Sequence, residues 1–435
     1  MKKGGNQIAE SKDTPKKIES EDIEVDSLEE VSYEEEKKMI KDQEHIPVGG
    51  KLQQFWRAWK AIKASKRVVR WVRKGYRLPF LPDGEINARA FFRFSSPPTL
   101  IPSYPADSVK GKALSEMITS LLKKSVIEQV PPNTLCFFNV VFLRPKPGGK
   151  WRLILDVSQL NKFLSVKSFA MDTTQVIRAS LSNDLWGSSV DFSDAFHHLP
   201  IHPNFRCFLA FQVGLSKYWY RACPFGLSPI PQVFTELCQP VKVFARNTWS
   251  ITVYQYIDDW LFLSPSRSRT NQVTKSFVRL CISLGLTVNL EKSHLSASRS
   301  LTHLGVLWDF KHATLRTPDD KITSITRIAR LVATSRRSPL PFLETLMGKM
   351  VAVEMCVHFG RLHYRRFQGE LLRELRQGRS VWWVSLTTRA KQDLVWWSTA
   401  AHLQKSVRSS LPPPQVIIYT DASLTGWRLS MTTER

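Results

Sequence analysis

Two adjacent carboxylates, Asp258 and Asp259, stand inside the run Tyr254-Gln-Tyr-Ile-Asp-Asp-Trp-Leu-Phe-Leu263, where most other side chains are apolar, aromatic or β-branched. Such residues favour strands on both flanks, so the pair is expected in the middle of a hairpin-like element. Ionised carboxylates in an apolar surround are costly unless cations pair with them, and like charges side by side repel. A divalent metal is the simplest partner. The alternative is a water-exposed tight turn, which suits Asp, although no Gly, Pro or Asn stands at the tip. A further acid, Asp191, ends the strand-like segment Ser188-Ser-Val-Asp191, ahead of a helical turn that Ser193 or Asp194 would start. Carboxylates from two strands aimed at one point are the minimum constellation for two Mg²⁺ ions about 3.5–4 Å apart over a phosphoryl centre. His197, His198 and His202 lie nearby. Mg²⁺ prefers oxygen, and no Cys or acid completes a zinc set, so these histidines are read as structural.

Phosphoryl chemistry needs cations for the phosphates, and residues 137–156 supply them. Two apolar runs flank a Pro-Gly-Gly turn, which predicts a β-hairpin whose rim carries Arg144, Lys146, Lys150 and Arg152. These four suit the phosphates of a nucleotide or a template strand; a solvated rim is the alternative. The whole chain leans the same way. Lys and Arg number 62 against 38 acids, a formal charge of +24, which attracts polyanions: nucleic acid first, an acidic membrane surface second. With 435 residues, 43% of them hydrophobic, there is room for roughly two to four domains with real cores. The six cysteines include no Cys-x-x-Cys pair, which excludes a zinc-finger pattern and points to a reducing intracellular compartment, cytoplasm or nucleus. No apolar segment follows the N-terminal lysines and no run reaches about 18 apolar residues, so neither a standard secretion signal nor a membrane span is expected.

Residues 1–50 are dense in acids, Lys and Ser and predict a disordered acidic tail with a short helix near its end. From Lys51 to Phe80 there are ten Lys or Arg and no acid. Phe55, Trp59, Ile62, Val69 and Val72 recur there at helical spacing, predicting a basic amphipathic helix: a surface helix of the next domain, or an arm contacting nucleic acid. The Pro- and Ser-rich stretch 88–105 reads as a linker, completing a lead-in over 51–105, and Lys110 to Val126 as an amphipathic helix.

Five blocks of this sequence, in order and spacing, resemble the polymerase motifs of retroelement reverse transcriptases. They are Asp191-Phe-Ser-Asp-Ala-Phe, Cys223-Pro-Phe-Gly-Leu-Ser-Pro-Ile-Pro-Gln-Val-Phe234, Tyr256-Ile-Asp-Asp259, Gly285-Leu-Thr-Val-Asn-Leu-Glu-Lys292 and His303-Leu-Gly-Val306. Upstream, Trp151-Arg-Leu-Ile-Leu-Asp-Val-Ser-Gln-Leu-Asn161 resembles the family's fingers motif. The resemblance implies an α+β right-hand polymerase. Fingers and palm would span 106–316, with a four-stranded antiparallel palm sheet carrying Asp191 and Asp258/Asp259, and a helical thumb and connection would span 317–410.

It also implies roles. Asp191, Asp258 and Asp259 would bind two Mg²⁺ ions, or Mn²⁺ in their place, with the Phe192 carbonyl as a further metal contact. Lys146 and Arg152 would neutralise the incoming triphosphate. Phe196 would exclude a 2′-hydroxyl, and Phe225 stands where some retroviral enzymes have Gln. Lys292 would protonate the pyrophosphate, and His303–Val306 would form the primer-grip hairpin. The partners implied are an RNA or DNA template-primer duplex and deoxynucleoside triphosphates, with no membrane; the oligomeric state is not implied.

Val416-Ile-Ile-Tyr-Thr-Asp-Ala-Ser-Leu-Thr-Gly-Trp427 resembles the first strand of a retroelement ribonuclease H domain, with Asp421 matching its first metal carboxylate. Only eight residues follow and the remaining acids of that site are absent, so 411–435 reads as a truncated start without ribonuclease H activity. The lead-in, Phe55-Trp-Arg-Ala-Trp59 and Val69-Arg-Trp-Val-Arg73, resembles that of DIRS-type elements, with gypsy-like elements as the alternative. The expected activity is RNA-directed DNA polymerisation for a retrotransposon. Against it stands a catalytically silent nucleic-acid-binding relic; a group II intron-type or RNA-templated viral polymerase would not carry the Asp421 block.

Overall fold

The computed structural model describes residues 34–42, 45–94, 104–105, 107–145, 149, 151–376, 382–410, 416–423 and 426–433. Lys146, Lys150, the acidic stretch 1–33 and most of the Pro/Ser stretch fall outside them. Helix α1 (Glu34–Asp42) places three acids in its first turn, where the helix dipole favours them. It buries Ile40 and ties the covered Glu36 to Arg279 at 2.8 Å. The short helix expected near the end of the tail is thus present over 34–42, docked by Ile40 and by Arg279, which pairs with both Glu35 and Glu36, contacts that composition does not reveal.

The lead-in differs from the single helix expected. A 3₁₀ turn (Lys51–Phe55) runs into α2 (Trp56–Ala61), and α3 (Lys66–Lys74) starts afresh. The break falls where Lys63 takes φ +59° and the Ser65 hydroxyl accepts from the Val68 amide at 3.2 Å, an N-cap that begins a new helix. Trp59, Val68 and Val72 are buried in the largest core, and Trp59 Nε1 donates to the Leu284 carbonyl at 2.9 Å. Part of the expected linker is also helical, α4 (Gly84–Phe94), because the Pro/Ser cluster begins only at Ser95.

Helix α5 (Val109–Lys123) leads to β1 (Ile127–Gln129) and the expected hairpin of β2 (Val140–Pro145) and β3 (Trp151–Asp156). Short helices α6 (Ser158–Asn161) and α7 (Thr174–Ala179) precede β4 (Trp186–Asp191). Helix α8 (Pro203–Arg206) follows, then β5 (Ala210–Val213) and β6 (Ser216–Tyr220), which join β1 in a three-stranded sheet. Next come α9 (Ile230–Trp249), β7 (Thr252–Tyr256), β8 (Asp259–Ser264), α10 (Arg267–Ser283) and β9 (His294–Ser298). Strands β7, β8, β4 and β9, in that order, form the expected four-stranded antiparallel sheet.

Alternation assigns the two faces of this sheet. Val190, Trp260 and Phe262 turn toward α10, where the Phe277 ring centroid lies 4.8 Å from that of Trp260 and 4.7 Å from that of Phe262. Gly187, Ser189 and Asp191, paired with Leu263, Leu261 and Asp259, turn to the opposite face. That face meets a second sheet built from β10 (Ser300–His303), β11 (Val306–Asp309), β12 (Thr314–Arg316) and the later β15 (Val407–Arg408). Its Trp308 and Phe310 pack with Leu261 and Leu263, and a Cβ on Gly187 would stand 2.2 Å from the Phe310 ring.

Helices α11 (Asp319–Thr334), α12 (Leu340–Val353), α13 (Arg365–Arg376), α14 (Thr388–Trp397) and α15 (Ala400–Gln404) form a third core around Trp397. A small ladder, β13 (Ser338–Pro339) with β14 (Trp383–Val384), and a hairpin, β16 (Val416–Ala422) with β17 (Trp427–Thr433), complete the described chain. Phe277 is fully buried between α10 and the sheet. Phe277→Ala is expected to lower the stability of this unit by about 3–5 kcal/mol in denaturant unfolding; a loss under about 1 kcal/mol would contradict the packing described.

Candidate active site

The last ladder pair of the β7–β8 hairpin is Tyr256 with Asp259, leaving Ile257 and Asp258 as a two-residue turn. The pair thus falls at the tip of a hairpin, as expected, with Asp258 in its turn and Asp259 opening β8, and the turn closes without the usual residues. Ile257 takes φ +56°, a left-handed conformation that costs a β-branched residue on the order of 1–3 kcal/mol. Buried Gln255 holds it there: its Nε2 donates to the Ile257 carbonyl at 3.2 Å, and its amide donates to Asp172 Oδ2 at 2.8 Å. Asp172 is in turn paired with Lys242 of α9. This Asp172–Lys242–Gln255 chain has no motif of its own in the sequence; only the fold brings the three together.

Asp191 closes β4 directly opposite Asp259. Its amide donates to Ser293 Oγ at 3.0 Å and its carbonyl accepts from the Asn289 amide at 2.8 Å, fixing the strand end to the loop that carries Lys292. Asp191 Oδ1 is buried and has no hydrogen-bond partner; Lys292 Nζ stands 3.7 Å away, too far for one. Burial raises the pKa of all three acids. For Asp191 the nearby Lys292 opposes the rise, for Asp258 the Asp191 charge adds to it, and the charges of Asp191 and Asp258 help push Asp259 up to about 7. His303, at the end of β10, puts Nδ1 3.8 Å from Asp259 Oδ1, but burial lowers its pKa to about 4 and leaves it neutral. The motif that implied a primer grip thus also walls the carboxylate site, through a type of contact its sequence does not signal. The β10–β11 turn, Leu304 and Gly305, has φ +49° and +72°, as a two-residue hairpin turn requires.

The carboxylates fit a hard divalent cation on two observations: an unpartnered buried oxygen, and three acids whose pKa values burial raises, with the charge of Asp191 adding to the rise at Asp258 and Asp259. Among the described residues no three His, Cys, Asp or Glu form a ready-made cage. An open site of this kind matches Mg²⁺, which is held by one or two carboxylates and keeps positions for water and phosphate. His197 and His198 are buried and neutral, with pKa lowered to about 4 by burial. His198 Nδ1 donates to the Ala195 carbonyl and Nε2 accepts from the Thr287 amide, each at 3.0 Å, so this ring braces the turn after β4.

Phe196 and Phe225 are brought together, with ring centroids 4.9 Å apart, and Phe196 also meets Phe234 of α9 edge-on at 5.5 Å. Phe225 is half exposed. The following Gly226, at φ +95°, accepts from Asn161 Nδ2 at 3.0 Å and lies so close to β3 that a Cβ would stand 3.2 Å from the Leu155 carbonyl. The aromatic pair is therefore pinned to the base of the β2–β3 hairpin. On that hairpin the exposed Arg152 pairs across the ladder with exposed Arg144, a like-charge pair that an anion would relieve. Phe192 is buried beside Trp260 and Phe277. Asp421 stands elsewhere, exposed on β16 opposite Arg428, and is the only acid in its hairpin strands.

A four-stranded antiparallel sheet with paired carboxylates at its edge, backed by two helices and flanked by a basic hairpin and a helical bundle, is the architecture of a right-hand polymerase. Residues 144–307 match the family model for reverse transcriptase (RNA-dependent DNA polymerase). The chain is 25% identical over 187 residues to the Gag-Pol polyprotein of bovine immunodeficiency virus (strain R29), covering 40% of this chain and 12% of that protein. It is 27% identical over 251 residues to the Gag-Pro-Pol polyprotein of human T-cell leukemia virus 3 (strain Pyl43), covering 54% and 17%. It is also 28% identical over 166 residues to Protein P of duck hepatitis B virus (isolate white Shanghai duck S31), covering 37% and 21%. The chain thus spans about a fifth or less of these relatives. In fold it resembles the foamy viral protease-reverse transcriptase solved in complex with dsDNA, at a TM-score of 0.57 and 17% identity over 88% of this chain and 78% of that one. Residues 144–307 are thus similar to the reverse transcriptase domain.

Because Asp259 is held above its ordinary pKa of 3.8, the folded state favours its protonated form, and this contribution is lost as pH rises from about 4 through about 7. Asp259→Asn is expected to raise the metal-free melting temperature at pH 8 and to leave it nearly unchanged at pH 4. Equal shifts at both pH values in scanning fluorimetry would contradict the electrostatic assignment.

Proposed function

We propose that this protein is an RNA-directed DNA polymerase of a retrotransposon, with the DIRS-type resemblance of its lead-in naming the subfamily. It joins a deoxynucleoside triphosphate to a primer 3′-hydroxyl on an RNA or DNA template. The observation that carries the reading is the meeting of Asp191 and Asp259 across one ladder rung, with Asp258 beside them and the Asp191 Oδ1 unpartnered. Asp191, Asp258 and Asp259 would hold Mg²⁺, which when bound supplies positive charge for the primer oxygen and the triphosphate. The Phe192 carbonyl is assigned a supporting contact.

The chain's own groups position the rest. The Phe196 and Phe225 rings would offer an apolar floor for the sugar, and a bulky ring there disfavours a 2′-hydroxyl. Arg152, with Lys146 beyond the described residues, faces the triphosphate; bidentate guanidinium geometry suits it. Lys292, exposed and 3.7 Å from Asp191, would pass a proton to the departing pyrophosphate. The lead-in (51–105), fingers and palm (106–316) and thumb with connection (317–410) are assigned as the working divisions. All six cysteines are free, in keeping with work in a reducing compartment, cytoplasm or nucleus.

Primer extension on poly(rA)/oligo(dT) with Mg²⁺ and dTTP tests the reading. The wild type is expected to extend the primer, and the Asp258→Asn, Asp259→Asn double variant to be at least about a hundredfold slower. No extension by a folded, duplex-binding wild type would refute the polymerase reading and leave a nucleic-acid-binding relic.

A further inference from the structure

The catalytic carboxylates leave the sheet on the face turned away from α10, whereas the lead-in packs on the helical side. Trp59 bonds to Leu284 at the end of α10, Phe55 lies against Gly285, and Arg67 pairs with Glu236 of α9 at 3.3 Å. The cations of α2 and α3 therefore stand behind the palm, apart from the proposed primer-template cleft. Arg57, Lys60, Lys63, Lys66, Arg70 and Lys74 are exposed there and have no acidic partner among the described residues. On α3, Lys66, Arg70 and Lys74 follow one another at four-residue spacing, opposite the buried Val68, Trp71 and Val72. The Arg57 and Arg73 guanidiniums both lie over the Trp56 ring, at 5.0 and 4.6 Å, which holds that end of the patch in place.

A cleft of about 640 Å³, lined by Lys63 at the start of this row, opens between the α2–α3 turn and α9. Ile62, Val68, Val243 and Phe244 give it apolar walls, Gln239 and Asn247 supply amides, and Glu236, the one acid lining it, is paired with Arg67. A row of unpaired cations next to an apolar cleft with amide edges matches a phosphodiester backbone whose bases are free to leave the stack. A membrane surface fits less well, because a lipid-binding helix needs an exposed apolar face and here that face is buried in the protein core.

We propose that the lead-in and the outer face of α9 form a second binding surface, for single-stranded nucleic acid, on the back of the palm. It would hold template outside the catalytic cleft without reading its sequence, since phosphate contacts carry affinity and register and not base identity.

The test compares the full chain with a Lys63→Gln, Lys66→Gln, Arg70→Gln, Lys74→Gln variant, using labelled oligo(rU) and oligo(dT) of about twenty nucleotides and a short hairpin duplex as probes. Circular dichroism first confirms that the variant folds; if it does not, Lys66→Gln, Arg70→Gln replaces it. At about 0.7 per phosphate contact, the salt slope of single-strand binding is expected to fall by about 3 in the fourfold variant and about 1.4 in the twofold one. Hairpin binding is expected to be unchanged. Loss by both single strands identifies the phosphodiester chain, and loss by oligo(rU) alone identifies RNA; either supports the surface. An unchanged single-strand slope overturns it, and so does equal loss of single-strand and hairpin binding, which would make the patch part of the main cleft.

Discussion

The structure turns on a repulsion. Three carboxylates are carried to one edge of a sheet, two of them facing each other across a ladder rung, in surroundings that remove water without supplying enough positive charge. Lys292 is the cation nearest Asp191, at 3.7 Å and mostly exposed, and His303 beside Asp259 is neutral. Nothing in such an arrangement favours the folded chain alone. It persists because the large core beneath it, with Trp260, Phe262 and Phe277, fixes the strands whatever the acids cost. The strained Ile257 turn is carried in the same way, through Gln255 and the Asp172–Lys242 pair.

The carboxylates were legible in the sequence because charge inside an apolar run is chemically conspicuous, and the antiparallel sheet followed from the family-like order of the blocks. The turn was less legible. Without Gly, Pro or Asn at the hairpin tip nothing local announced the positive φ of Ile257, whose carbonyl accepts from Gln255, itself held by Asp172 of a distant loop. Asp172 and Lys242 lie 70 residues apart and Gln255 joins them only in three dimensions, so no local pattern could announce them. His303 was visible as part of a hairpin motif but not as a neighbour of Asp259.

The lead-in shows the opposite failure. Its helical period was read correctly at Phe55, Trp59, Ile62 and Val72, which lie in or against a core, but not at Val69, whose neighbour Val68 is the buried one. The continuous helix was not, because the Ser65 cap and the positive φ of Lys63 divide it. Lys51, counted among the basic residues, is in fact buried, donates to Thr287 Oγ1 at 3.1 Å and has its pKa lowered to about 8 by desolvation. Composition reports charge but not which charges remain outside. Helix α1 makes the same point for acids: Glu36 is covered and bonded to Arg279, although its neighbours read as tail.

The central claim is that the mutual repulsion of Asp191, Asp258 and Asp259 is what a divalent cation relieves. Calorimetric titration of Mg²⁺ into the metal-free protein at pH 7, repeated in buffers of different ionisation enthalpy, measures the protons released on binding. The account predicts net release by the wild type, since Asp259 is partly protonated at that pH, and a clear reduction of it in Asp259→Asn. Binding with no proton release, or the same release from both proteins, would contradict it.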